Sequence, residues 1–171
     1  MSRSLTIAAL VSILLSGAIF GFFYAWVCST MWGLDAADPR VAIAAMQAMN
    51  ASVRNAIFAP AFFGTGPFLL ITALLFWRTG AARAALYFGA GGGLYLIAGA
   101  GLTMAINVPM NEALAIVEVP QDVEQARAIW AAYSPDWQVW NQIRTVASGA
   151  TLLLAALGFA AGQKALGNRV I

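Results

Sequence analysis

The sequence contains no histidine, a single cysteine and few charged side chains. Histidine is the usual titrating catalyst near neutral pH and the commonest metal ligand. Its absence, with only Cys28 as a thiol, argues against haem, zinc and copper sites. One cysteine also excludes an intrachain disulfide and leaves the redox compartment open. The net charge of +2 provides no basic patch for nucleic acid. We therefore predict no metal, no cofactor and no nucleic-acid partner.

What is abundant is apolar sequence. Hydrophobic residues make up 61% of the chain and charged residues only 9%, against about 25% charged residues in soluble domains. Four stretches carry no charge: 4–34, 55–77, 84–111 and 145–163. A helix crosses the hydrocarbon layer of a membrane with roughly 20 apolar residues. The prediction is an all-α integral membrane four-helix bundle, a single domain over 1–171. Its spans are Leu5–Val27, Ile57–Trp77, Ala84–Ile106 and Ile143–Gly162.

The charges predict how the chain is threaded. All seven acidic residues lie in the two long connections, roughly 31–56 and 107–142. Basic residues without any acid mark the other side of the bundle: Arg3, Arg78, Arg83, Lys164 and Arg169. Because short basic segments stay in the cytoplasm, we expect both termini to be cytoplasmic and both long connections to be extracytoplasmic.

Both long connections are predicted to be partly helical. In 41–56, Gln47, Asn50 and Arg54 share one helical face. In the second connection, Gln121 to Tyr133 is typical of a short amphipathic helix that ends before Ser134-Pro135. We expect these segments to cover the end of the bundle.

Glycine is concentrated in the predicted spans. Span three is rich in it, and the pairs Gly17/Gly21 and Gly158/Gly162 have the GxxxG spacing that lets helices approach closely. These faces can pack within the bundle or form the seam of a homo-oligomer. The segment 64–67, Gly-Thr-Gly-Pro, predicts a kink or a locally unwound turn in span two, with a cavity beside it.

Polar residues cluster where the spans meet the acidic side. They are Arg54, Asn107, Asn111, Glu112, Asn141 and Arg144. Ionisable groups at membrane depth indicate function by default. One interpretation is structural, with Glu112 paired to Arg144 or Arg54 and the asparagines capping helix ends. The other is a pocket in which Glu112 is a general base and the arginines and asparagines stabilise an anion.

Four segments in order carry a family resemblance: GFFYAWVCSTMWGL, AIAAMQAMNASVRNAIFAPAFFGTGP, NVPMNEALA and WAAYSPDWQVWNQIRTVAS. Together they resemble the anthrone oxygenase-like family of small four-span membrane proteins. The specific part is N-x-P-x-N followed by W-x-x-W-N-x-x-R-T. These motifs fall on Asn107, Pro109, Asn111, Trp140, Asn141 and Arg144. Many relatives have a histidine where this chain has Gln142.

The resemblance implies an activity. The fungal members that give the family its name oxidise anthrones to anthraquinones with O₂, without metal or flavin. By resemblance, this chain is a possible cofactor-independent monooxygenase acting on a lipophilic aromatic or quinone-like compound. The expected catalytic residues are Glu112, Arg144 and Asn141, beside aromatic side chains such as Phe62 or Phe63. The expected substrate-binding residues are Asn107, Asn111, Arg54 and Trp140.

A non-enzymatic alternative stands beside this prediction. The chain could bind a lipophile without turnover, or act as a small subunit of a membrane complex. In either case the expected location is the bacterial cytoplasmic (inner) membrane as a multi-pass protein, with the bilayer and a lipophilic small molecule as partners.

Overall fold

The computed structural model describes residues 1–167, and within them every regular element is a helix. There are five: α1 (Arg3–Ala36), α2 (Pro39–Ser52), α3 (Phe58–Arg78), α4 (Ala82–Ala115) and α5 (Val123–Gly167). All except α2 are long and apolar enough to cross a membrane. The predicted all-α, four-span architecture is therefore confirmed. Arg169, assigned above to the basic side, lies outside the described residues.

The four long helices form a ring. Helix α1 packs against α3 and α5, and α4 packs against the same two helices. Consecutive helices run in opposite directions, as in an up-down-up-down bundle. The tight turn between α3 and α4 uses Gly80, whose φ of 74° lies in the left-handed region that favours glycine.

The end of the bundle next to this turn is closed by apolar packing. Phe76 and Phe88 stack with ring centroids 5.3 Å apart, and glycines of α5 lie against them. A Cβ at Gly158 would come within 2.8 Å of the Phe88 ring, and one at Gly162 would collide with Phe76. This glycine pair is therefore used inside the bundle. Gly17 and Gly21 have no such close neighbour, and the homo-oligomer seam stays a prediction.

Helix α3 continues without interruption through Pro67, so the predicted local unwinding is wrong. Proline removes one backbone hydrogen bond and costs about 3 kcal/mol in an isolated helix. Neighbours stabilise the turn here. The Tyr95 hydroxyl donates to the Phe62 carbonyl at 2.7 Å, and Gly66 gives room for Leu96 of α4.

The predicted break at Ser134-Pro135 is also wrong, because α5 is one helix of 45 residues with Pro135 inside it. The segment before the proline is anchored along one face. Trp130, Tyr133 and Trp137 are buried in a common core with residues of α1 and α2. The packing of this face outweighs the local cost of the proline.

Helix α2 lies across the end of the bundle opposite the tight turn. Ala42, Ile43 and Met46 are fully buried against α5 and the end of α4. The Gln47 amide donates to the carbonyls of Leu114 and Val117 at 2.9 and 2.8 Å. It thereby fastens α2 to the end of α4, where the Leu114 carbonyl also accepts from Val117 N at 3.1 Å. We call α2, with the ends of α1, α4 and α5 that it contacts, the cap.

Candidate functional site

A cavity of about 580 Å³ lies beneath the cap, between α1, α3, α4 and α5. This volume is within the range of about 300–1,000 Å³ that is typical of small-molecule sites. Most of the wall is aromatic or aliphatic. The polar lining residues are Asn50, Arg54, Asn55, Thr103, Asn111, Glu112 and Arg144.

Arg144 forms the floor of the cavity and is only 5% exposed. Its Nε donates to Asn141 Oδ1 at 3.0 Å, and its Nη1 donates to Thr103 Oγ1 at 3.2 Å. The guanidinium lies over two aromatic rings, with 4.4 Å to the Phe23 centroid and 5.1 Å to that of Trp137. Among the described residues it has no carboxylate partner. The floor is thus a buried cation facing an apolar chamber.

Helical spacing explains this arrangement. Asn141 and Arg144 are three residues apart on α5 and share a face. The Asn141 amide also donates to the Phe23 carbonyl at 3.3 Å, which leaves its oxygen directed at Arg144. On α4, the Thr103 hydroxyl donates to the Gly99 carbonyl at 2.7 Å, so its lone pairs remain free to accept from the guanidinium.

Thr103 begins a wide turn of α4. The segments Tyr95–Gly101 and Thr103–Asn107 are π-helical, a geometry that often accompanies functional sites. Asn107 ends the second of them. It is fully buried, and neither atom of its amide has a hydrogen-bond partner within residues 1–167. It lies behind the described cavity lining rather than in it.

Asn111 organises the wall above the floor. Its Oδ1 accepts from Tyr133 Oη and from Trp137 Nε1, both at 2.8 Å. Its Nδ2 donates to Asn50 Oδ1 at 3.1 Å. These bonds fix the Trp137 ring, which in turn lies against the Arg144 guanidinium.

An ion pair spans the mouth of the cavity, the end nearest to solvent. Arg54 Nη2 lies 3.4 Å from Glu112 Oε1, and the two side chains are 62% and 60% exposed. An exposed pair of this kind contributes at most about 1 kcal/mol to stability. Glu112 is the sole carboxylate among the described lining residues. On α4 it is nine residues from Thr103, which separates mouth and floor by about 13 Å along the helix axis.

Two lining residues of the cavity are also exposed on the outer surface of the bundle. They are Phe63 of α3 and Met104 of α4, which are 62% and 52% exposed. Deeper in the bundle α3 and α4 close up, because Gly92 gives room for Leu70. We call the part of the cavity wall that Phe63 and Met104 form the lateral slot.

The structure therefore brings only some of the predicted site residues together around the cavity. Arg54, Asn111, Glu112 and Arg144 line the cavity, and Asn141 contacts it through Arg144. Among the described lining residues the tryptophan of α5 is Trp137, not Trp140. Trp137 is seven residues from Arg144 and Trp140 is four residues from it, so helical spacing alone does not separate the two. Gln142 is exposed and is not among the described lining residues.

One residue that the sequence did not indicate fastens α1 to α5 beside the cavity. The Asp35 carboxylate accepts from Trp130 Nε1 at 2.9 Å, Ser134 Oγ at 2.6 Å and Gln138 Nε2 at 2.9 Å. No local pattern predicts these bonds, because Asp35 is about 100 residues away from its three partners in the chain. Within residues 1–167, no three His, Cys, Asp or Glu side chains are grouped to hold a metal ion.

Comparison with known proteins gives one match. The family model for anthrone oxygenase matches residues 56–154. That range contains α3, α4 and the part of α5 that carries Asn141 and Arg144. Arg54 and α1 lie outside it. No curated protein and no solved structure matches the chain.

Proposed function

Because this chain belongs to the anthrone oxygenase family, we propose that it is a cofactor-independent oxygenase of a lipophilic aromatic or quinone-like compound. The observation that carries the proposal is the buried Arg144 cation, which faces an aromatic cavity and has no carboxylate partner among the described residues. A buried charge without a partner is costly. A ligand that becomes an anion during reaction would supply the missing charge.

The reaction of an anthrone-type substrate is chemically balanced without a cofactor. Loss of a proton from its acidic CH₂ group gives a delocalised oxyanion, which transfers one electron to O₂. The resulting radical and superoxide combine through a new C–O bond. Loss of the second proton and cleavage of the O–O bond then give the quinone. Overall, one anthrone and one O₂ become one anthraquinone and one water.

Arg144 is proposed as the donor to the oxyanion. Preorganised donors in a water-poor site stabilise a developing charge far better than mobile ones. Here the guanidinium is held by Asn141 and Thr103 and packed between two rings. These bonds use two of the five N–H groups of the guanidinium, so donors remain for the ligand.

Glu112 is proposed as the general base. In an anthrone the CH₂ group and the carbonyl lie on opposite sides of the middle ring. A base and an oxyanion donor must then approach the substrate from opposite ends. The position of Glu112 at the mouth and of Arg144 at the floor supports this division. Arg54, Asn111 and the flanking aromatic rings would contact the rest of the substrate.

The lateral slot supports a membrane-dissolved substrate. Phe63 and Met104 offer an apolar entrance at the depth of the hydrocarbon, where a fused aromatic compound partitions from water. We further propose that the protein resides in the bacterial cytoplasmic membrane, with the cap outside. That placement rests on the distribution of basic residues.

A second function is favoured by one observation. Glu112 is 60% exposed and is paired with Arg54, whereas burial is the usual means of tuning a carboxylate base. A protein that binds a lipophile without turnover would need the cavity and Arg144 but no base.

The two functions are separated by a turnover assay in lipid nanodiscs. The substrate is dithranol, a dihydroxylated anthrone, and O₂ consumption and quinone absorbance are measured above spontaneous oxidation. We expect the parental protein to accelerate both, and Glu112→Gln to reduce the rate by about 100-fold or more. The matched control is Glu118→Gln, an exposed glutamate outside the described lining. Parental protein that binds dithranol but oxidises it no faster than empty nanodiscs would establish the binder instead.

A further inference from the structure

A groove lies at the end of the bundle opposite the cap, and its residues have no role in the proposed oxygenase reaction. It has a volume of about 530 Å³ and runs between α4 and α5. Arg83 and Lys164 stand at its edges, with Tyr87 beside them, and Leu157, Ala160 and Ala161 form its floor. The groove therefore combines two cations with a shallow apolar surface.

Its cations, Arg83 and Lys164, have no carboxylate partner among the described residues. The seven acids lie in the segments 35–38 and 112–136, at the capped end of the bundle or in its connections. A ligand in the groove thus meets positive charge that no carboxylate within residues 1–167 neutralises.

The Arg83 side chain is held in place at the groove wall. Its Nη2 lies 3.3 Å from the Tyr87 hydroxyl, and its guanidinium carbon is 5.8 Å from the centre of the Tyr87 ring. A cation near an aromatic face is attracted to it. This contact reduces the freedom of a long side chain and leaves its other N–H groups for an acceptor.

The depth of the groove identifies the kind of anion. Arg83 lies in the first turn of α4 and Lys164 in the last turn of α5, where a spanning helix meets the polar boundary of the membrane. Leu157 lies two turns deeper on α5 and is exposed on the surface of the bundle. The alanines between these levels leave space for a chain to lie flat. A ligand with an anionic head and an apolar tail matches this order.

We propose that the groove binds an anionic phospholipid, with the phosphate between Arg83 and Lys164 and an acyl chain along Leu157. Arginine and lysine are the usual protein ligands of phosphate, and basic pockets between membrane helices bind acidic headgroups. This site is separate from the cavity, so its failure would leave the proposed oxygenase untouched.

The test is lipid retention measured by native mass spectrometry of the purified chain. Phosphatidylglycerol and phosphatidylcholine with the same acyl chains compete at equal amounts. We expect the parental protein to retain phosphatidylglycerol preferentially. A surface charge contributes about 1 kcal/mol to such binding, or about fivefold. The double variant Arg83→Gln/Lys164→Gln should therefore lower the preference by about 25-fold.

Matched variants make the outcome decisive. Arg83→Lys/Lys164→Arg keeps both charges and should keep the preference. Arg78→Gln removes a charge at the same end but outside the described groove and should change it by less than about twofold. Equal retention of the two lipids, or an equal loss in Arg78→Gln, would overturn the proposal. So would equally tight binding of glycerol phosphate, because the site would then be one for a free anion.

Discussion

Replacing Arg144 by methionine removes the charge on which the proposed oxygenase depends while keeping most of the side-chain length. The substitution abolishes the bonds to Asn141 and Thr103. It keeps an apolar group between Phe23 and Trp137. The cavity would retain its volume and its aromatic walls, so binding of a neutral aromatic compound should persist.

The expected effect on stability is small because its parts oppose each other. Each hydrogen bond from a charged group contributes about 1.5–3 kcal/mol, and a buried cation–π contact about 2 kcal/mol. Against this, desolvation of a buried cation costs several kcal/mol, and no anion among the described residues offsets that cost. The unfolding temperature of the variant should therefore stay near the parental value.

The expected effect on turnover is large. Removal of one preorganised donor from an oxyanion site typically costs about 100- to 1,000-fold in rate. Arg144→Lys keeps the charge but loses the planar fork and should fall between the parental protein and Arg144→Met. The assay is dithranol oxidation in nanodiscs, followed by O₂ consumption and quinone absorbance.

Ser148→Ala serves as the control for disturbance of α5. Ser148 is buried one turn from Arg144, and its hydroxyl donates to the Arg144 carbonyl at 2.7 Å. This variant should oxidise dithranol at the parental rate. A folded Arg144→Met protein that did the same would refute the assignment of the floor as an oxyanion site.

Three further results are expected. Gly158→Ala should lower the free energy of unfolding by about 1–3 kcal/mol, because the added Cβ meets an aromatic ring at 2.8 Å. Gly21→Ala should leave it unchanged, because nothing lies within 4 Å of that Cβ. Thermal unfolding in detergent compares the two variants. Gln47→Ala should cost about 1–3 kcal/mol and speed amide hydrogen exchange at the end of α4; unchanged exchange would contradict its role there. Hydrogen bonds from the Arg40 side chain and backbone lower the pKa of Asp38 from 3.8 to about 2. Their stabilisation of α2 should therefore persist above pH 4 and disappear as the pH falls towards 2, as NMR titration of the carboxyl carbon would show, with Arg40→Gln raising the midpoint.

The spans were predictable because lipid leaves the sequence little freedom. A charge within the hydrocarbon is so costly that its absence over 4–34 or 84–111 marks a helix directly. The local unwinding predicted at Pro67 and the helix end predicted before Pro135 were wrong for the opposite reason. They rest on local propensity, which the long-range contacts of Tyr95 and Asp35 override.

The sequence predicts at which end of the bundle the candidate site lies, but not which face of each helix points towards it. Sequence position placed Arg144 and Glu112 near the same end of the bundle, and both line one cavity. Which tryptophan faces that cavity depends on the rotation of α5 about its axis. That rotation is set by the bond from Trp137 to Asn111, which a single sequence does not reveal. Asn107 lies on α4, where the π-helical turn Thr103–Asn107 changes which side chains face the cavity, and it is absent from the described lining.

Helix α5 is long and continuous. At a rise of 1.5 Å per residue its 45 residues measure about 68 Å, more than twice the thickness of the hydrocarbon layer, about 30 Å. The helix continues through Pro135 from the segment around Arg127 to Arg144, so the cap and the floor of the cavity share one helix. An antibody fragment that binds the exposed segment around Arg127 would thus mark this end of the protein for electron microscopy. It would also act on the helix that carries Arg144 in the cavity.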